Sequence, residues 1–208
     1  MPHELFVTKL VVAKICHDLA TPLNALSLGL EMSEDASFSK DTIDLIQQSA
    51  ETMKSRLKLF RSLWSASPNA PTFQEAREIL TECALKSKVE IHWALSPHMV
   101  ESPVSSSLRL LLGLGFMALE GLPRGGTVTV SLSNEGDISI AAEGTIAQLR
   151  PGYEEVLLSD QRLEDQTSRT ILPFYIRLLS HVCGKSVSYK SQSTGSFEIL
   201  ATTASPPS

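Results

Sequence analysis

Two apolar stripes near the start of the chain constrain its architecture more than any other feature. Val12, Cys16, Leu19, Leu23, Leu26 and Leu30 follow one another at alternating steps of four and three residues, and Ile43, Ile46, Ala50, Met53, Leu57, Phe60 and Trp64 repeat the rhythm. A repeat of about 3.5 residues is the seam of helices packed side by side in a coiled-coil-like bundle. Polar and small residues between Ser33 and Ser39 interrupt it. The pattern therefore predicts two long helices joined by a short loop, an antiparallel hairpin. Such a hairpin alone has too little interior to bury both stripes, so another domain or a second copy has to cover them. A dimeric four-helix bundle is the economical solution; packing of both helices inside one monomeric domain is the alternative.

Beyond the hairpin the texture changes. The run S-A-S-P-N-A-P-T, Ser65 to Thr72, has the prolines and small polar residues of a linker. After it come a helix-like stretch over 73–86, a strand-like stretch over 89–95 and a helix-like stretch over 106–120. Two alternating runs, 127–132 and 137–141, are separated by S-N-E-G and read as a β-hairpin; a helical segment over 167–182 precedes a closing hairpin at 186–190 and 197–202. The fold class expected is α+β: a hairpin domain over 1–66, a linker over 67–72, an α/β sandwich over 73–203 with helices on one face of a mixed sheet, and a disordered tail over 204–208.

Composition narrows the function. A net charge of -5 in 208 residues leaves no basic footprint for nucleic acid, so protein partners are expected. Cys16, Cys83 and Cys183 are odd in number and far apart, which suits a reducing compartment. Lys9 and Lys14 interrupt the only apolar run resembling a leader, and Leu110 to Leu122 falls short of the ~20 residues needed to cross a bilayer. A soluble, cytoplasmic protein that engages no membrane is expected.

Chemistry concentrates in the first helix, where His17 lies one position off the apolar seam in the run H-D-L-A-T-P-L. That placement puts its imidazole on the solvent-facing flank, with Lys14 and Thr21 one turn to either side and Asn24 two turns along. A neutral imidazole is a nucleophile near neutral pH. Asp18, by accepting a hydrogen bond from one ring nitrogen, favours the tautomer whose other nitrogen attacks. Lys14 is a candidate to steer an incoming phosphoryl group and Thr21 to hydrogen-bond it. Pro22 in mid-helix costs ~3 kcal/mol unless the helix bends, a cost that packing alone does not explain. His3, His92, His98 and His181 lack acid or metal-ligand company and read as ordinary side chains.

The run H-D-x-x-T-P-L resembles the H-E-x-x-T-P-L phosphoacceptor box of the dimerisation and histidine-phosphotransfer domain of sensor histidine kinases. The resemblance implies a dimeric bundle with His17 as phosphoacceptor and Asp18 as general base. It extends into the second half in degenerate form: Leu110 to Leu132 is similar to the helix and strand of the histidine-kinase ATPase fold. Two asparagines that bind Mg²⁺ and nucleotide in working kinases align with Gly113 and Met117, neither of which ligates a hard cation. The adenine-recognising aspartate is missing from Ala141 to Ile146, and Thr167 to Pro173 contains no glycine where a phosphate-covering loop belongs.

An intact phosphoacceptor beside absent nucleotide motifs resembles the ChpT-type bacterial histidine phosphotransferases. That likeness implies a homodimer relaying phosphoryl groups between receiver-domain aspartates of a hybrid histidine kinase and of response regulators. No cofactor is then bound by this chain, Mg²⁺ coming from the receiver. Thr21, Asn24 and Leu28 would meet the receiver's helix, although Leu28 is equally suited to packing between helices. The competing readings are a divergent but active sensor histidine kinase and a non-catalytic dimeric adaptor that binds receivers.

Overall fold

The computed structural model describes residues 3–34, 39–65, 70–95, 105–133, 136–193 and 195–204. The centre of the expected linker, the tip of the S-N-E-G turn and the tail from Ser205 lie outside them. The hairpin forms: helix α1 spans His3–Glu34 and helix α2 spans Lys40–Trp64. α1 continues through Pro22, whose ring is buried. Ser39 starts α2 by accepting a hydrogen bond from the Thr42 amide at 3.2 Å, which satisfies one of the free donors of the first turn.

The two helices meet through their stripes only in part. Gly29 of α1 lies against Ile46 and Leu45 of α2 so closely that a Cβ there would stand 2.7 Å from Ile46 Cγ1. The residues that α2 buries over its first four turns are Thr42, Ser49 and Ser55. Small side chains bring the backbones together, and the larger apolar ones turn outward: Val12, Leu23, Leu30, Ile43 and Leu57 are all exposed. Only the last turns of α2 enter the interior, where Leu59, Phe60 and Leu63 join the main core.

That core is continuous with the second half of the chain. Helix α3 (Phe73–Lys86) opens with a capping box, in which the Glu75 amide donates to the Thr72 hydroxyl at 3.2 Å and the Thr72 amide donates to the Glu75 carboxylate at 2.7 Å. Strand β1 (Val89–Leu95), helix α4 (Ser105–Glu120), strand β2 (Gly126–Leu132) and strand β3 (Ile138–Glu143) follow. The short helix α5 (Tyr153–Leu158), a 3-10 turn at Leu163–Asp165, helix α6 (Ile171–Val182) and strands β4 (Lys185–Ser193) and β5 (Ser196–Thr203) complete the order. The sheet runs β1-β2-β3-β5-β4, with β1 and β2 parallel and the remaining neighbours antiparallel. Val128, Val130, Ile138, Ile140, Phe197 and Ile199 are buried while alternate residues of these strands are partly exposed. One face of the mixed sheet is thus covered by helices, as the α+β reading expects.

Helix α5 is absent from the sequence reading because six residues after Pro151-Gly152 carry too short a pattern to register. The last helix also begins later than expected. Residues 167–170 form a turn instead, in which the Thr167 amide donates to Thr170 Oγ1 at 3.0 Å, and α6 starts at Ile171. A threonine hydroxyl competing for a backbone donor explains the delay.

Helix α4 is apolar on every side because it is covered on every side. Leu110, Leu111, Leu112, Leu114 and Met117 are fully buried. Gly113 sits where α4 passes α6: a Cβ there would fall 1.8 Å from Ile176 Cδ1 and 3.5 Å from Leu63 Cδ1 of α2. Both positions aligned with the nucleotide-binding asparagines of kinases are therefore occupied by helix packing. Gly113→Asn is expected to lower stability by about 3 kcal/mol or more, since it forces both volume and an amide into a filled core. Urea denaturation checks this; an unchanged midpoint would show that the contact with Ile176 can open.

Candidate active site

His17 projects from the middle of α1 with 69% of its side chain exposed, and its Nδ1 stands 3.3 Å from Oδ1 of Asp18. Asp18 is the opposite case, with only 3% of its side chain exposed. It points beneath the histidine, where Lys14 Nζ lies 2.8 Å from its Oδ2 and an Arg56 guanidinium nitrogen from α2 lies 3.4 Å from the same oxygen. The carboxylate is therefore fixed from below by two cations while one edge faces the imidazole.

Lys14 does not occupy the exposed flank expected of it. Its side chain is 3% exposed, because it reaches Glu120 at the end of α4 and α1 packs against α6. Its ammonium bridges Asp18 and Glu120, the latter at 3.7 Å and itself buried. A lysine one turn from His17 along a helix is a neighbour in sequence spacing, yet tertiary packing has turned it under the histidine. It is thus spent on holding a carboxylate. Thr21, Asn24 and Leu28 are exposed, and Thr21 borders the same cleft as His17. These three and His17 share the open side of α1, while Lys14 and Asp18 share the covered side.

Four further residues complete the arrangement and escaped the sequence reading: Arg56, Glu120, Arg150 and Tyr153. Glu120 accepts a hydrogen bond from the Tyr153 hydroxyl at 2.9 Å and pairs with Arg150 at 3.1 Å. Burial pushes the Tyr153 phenol upward and the Glu120 charge pushes it further, so it is a neutral donor. Arg56 also lies over the Phe116 ring, 5.9 Å from its centroid. For Glu120 a signal was present, since it and Arg109 are the only charged residues of α4. Such a carboxylate at the end of an apolar helix needs a cationic partner. Arg150 and Tyr153 carry no spacing signal, because they come from a different element.

Comparison with known proteins places this geometry. The family model for the histidine phosphotransferase C-terminal domain matches residues 73–195. The chain belongs to that family. Among similar proteins, protein phosphotransferase ChpT of Brucella abortus (strain 2308) is 25% identical over 185 residues, which covers 86% of this chain and 87% of that one. A solved structure of a bacterial phosphotransferase superposes with a TM-score of 0.81 at 26% identity, covering 95% of this chain and 96% of its own. As a histidine phosphotransferase the chain works in a phosphorelay.

The family match covers the sandwich and not the hairpin that bears His17. Beside His17 the Lys14–Glu120 pair joins the two, in addition to the core that Leu59, Phe60 and Leu63 share with the sandwich. Asp18→Asn is expected to cost on the order of 3 kcal/mol, because it removes one partner from a buried pair and leaves the Lys14 ammonium poorly compensated. Thermal or urea unfolding measures the loss, and a change below a few tenths of a kcal/mol would mean that water reaches this pair.

Proposed function

We infer that His17 is the phosphoacceptor and that this phosphotransferase shuttles phosphoryl groups between the aspartates of receiver domains, on a hybrid histidine kinase and on response regulators. The observation that carries this reading is the pairing of an exposed imidazole with a buried, doubly anchored carboxylate at one of its nitrogens. With Nδ1–H donating to Asp18, the lone pair of Nε2 is directed away from that carboxylate. Nε2 attacks the phosphorus of a receiver's acyl phosphate as the bond to the aspartate oxygen breaks and the carboxylate leaves. The imidazole gains positive charge in this step, and Asp18 stabilises it through Nδ1. Attack by a second receiver's aspartate on the phosphohistidine reverses these bond changes and regenerates His17.

In this scheme the receiver's acidic pocket would hold any Mg²⁺, which would supply charge neutralisation there. This chain supplies the nucleophile, its orientation and the surface on which the receiver docks. Thr21, Asn24 and Leu28, exposed on the side of α1 that carries His17, are suited to docking. ATP is not the donor in this reading, since Gly113 and Met117 are locked in core packing. No helix among the described residues is long and apolar enough to cross a membrane, and the setting proposed is the cytoplasm.

The working form proposed is a homodimer. Val11, Ile15, Leu26, Met53, Leu57 and Phe60 line an apolar groove of about 1010 Å³ between α1 and α2, and Val12, Leu23, Leu30 and Ile43 of the same helices are exposed. Contiguous apolar surface of this kind on the heptad faces of two antiparallel helices suits a second hairpin. In sedimentation velocity the wild type and His17→Ala are both expected to run as dimers. Only the wild type is expected to take label from a receiver domain phosphorylated with acetyl phosphate. Equal loss of receiver phosphate in the two proteins would remove His17 from the chemistry, and a monomer would leave the groove without its proposed occupant.

A further inference from the structure

Two clefts meet at His17. One, of about 420 Å³, is bordered by His17, Thr21, Thr52, Arg56 and Arg150; the other, of about 290 Å³, is bordered by His17, Lys14, Arg150, Tyr153, Ser168 and Arg169. His17 and Arg150 are the pair that borders both. We propose that Arg150 is a catalytic residue for phosphoryl transfer, supplying from the sandwich the guanidinium that contacts the phosphoryl oxygens while the group is on, or moving to, His17. This rests on the reading of His17 as phosphoacceptor.

The cations around the histidine divide by what already holds them. Lys14 is buried between Asp18 and Glu120, and Arg56 is committed to Asp18 and to the face of Phe116. Among the described residues Arg150 pairs with Glu120 alone, at 3.1 Å, and 45% of its side chain remains exposed. A guanidinium has five N–H donors in a planar fork, so one anchoring carboxylate leaves others for a phosphate. Charge balance agrees. Lys14, Arg56 and Arg150 face the two carboxylates Asp18 and Glu120, and the exposed Arg169 stands at the rim of the smaller cleft, so positive charge is in excess beside a group that will carry a phosphoryl dianion.

The backbone around Arg150 is fixed as a preorganised donor requires. Leu149 before it and Tyr153 after it are buried, the Gln148 amide donates to the Gly121 carbonyl at 3.1 Å, and the Tyr153 amide donates to the Arg150 carbonyl at 3.0 Å. Gly152, at φ +82°, supplies the left-handed residue that turns the chain into α5 just after the arginine. The side chain that holds Arg150, Glu120, is 4% exposed and is also held by Tyr153. The domain that has lost its nucleotide residues thereby retains one active contribution to the reaction.

Phosphoramidate tests this without a receiver, because it phosphorylates imidazole directly: its P–N bond breaks, ammonia leaves and the Nε2–P bond forms. The initial rate of labelling is followed by ³¹P NMR on the full chain. Arg150→Ala is expected to label about tenfold or more slowly than wild type, the loss typical of one charge-assisted contact to a developing anion, and Arg150→Lys to fall between the two. The Lys variant keeps the ion pair with Glu120, so an intermediate rate separates loss of phosphoryl contact from loss of folding. Labelling of Arg150→Ala at the wild-type rate would overturn the proposal. Labelling of His17→Ala at the wild-type rate would instead overturn the reading of His17 on which it rests.

Discussion

The buried ammonium of Lys14 is the contact on which the functional geometry depends. It lies between a carboxylate of the hairpin, Asp18, and a carboxylate of the sandwich, Glu120, and all three groups are withdrawn from water. A charge in that position is costly unless its partners are in place, so the hairpin and the sandwich cannot separate at this point without exposing or orphaning several charges together. Asp18 is fixed by the same network, and Asp18 is what orients His17. The exposed nucleophile is therefore supported by an ionic floor assembled from two parts of the fold.

That arrangement explains how a histidine can be both open and precise. Exposure alone would leave the ring free to rotate, and burial would keep a receiver out. Here the ring is solvent-facing and only one of its nitrogens is engaged, by a carboxylate that cannot move because Lys14 and Arg56 hold it. The apolar surface needed for assembly is kept elsewhere, on the outward stripes of α1 and α2. Gly29 of α1 lets Ile46 and Leu45 of α2 come close, while Val12, Leu23, Leu30, Ile43 and Leu57 stay exposed for a partner.

Much of this was legible in sequence where the signal was local. The heptad stripes predicted both helices because a 3.5-residue period has no other common origin, and the alternating runs around Val128 and Ile140 predicted strands because one sheet face is buried. His17, Asp18 and Pro22 stood out because they are adjacent in the chain. The outward face of His17, Thr21 and Asn24 was legible too, whereas the facing of Lys14, which depends on a distant element, was not. Helical spacing puts Lys14 one turn from His17 on an exposed flank, and nothing local shows that α4 ends against it. Arg150 and Tyr153 join the site from a loop and a six-residue helix more than a hundred positions away, with no motif of their own. In sequence Gly113 is only a missing ligand, whereas the structure shows a close crossing of three helices there.

The central claim is chemical: phosphate resides on Nε2 of His17 while Nδ1 keeps its proton and donates it to Asp18. Phosphorylated protein labelled with ¹⁵N in its histidines tests this most directly, through the ³¹P–¹⁵N coupling that identifies the bonded nitrogen. The account predicts one phosphorylated imidazole, that of His17, coupled at Nε2 and protonated at Nδ1. Phosphorus coupled to Nδ1 of His17, or found on any other residue, would contradict it.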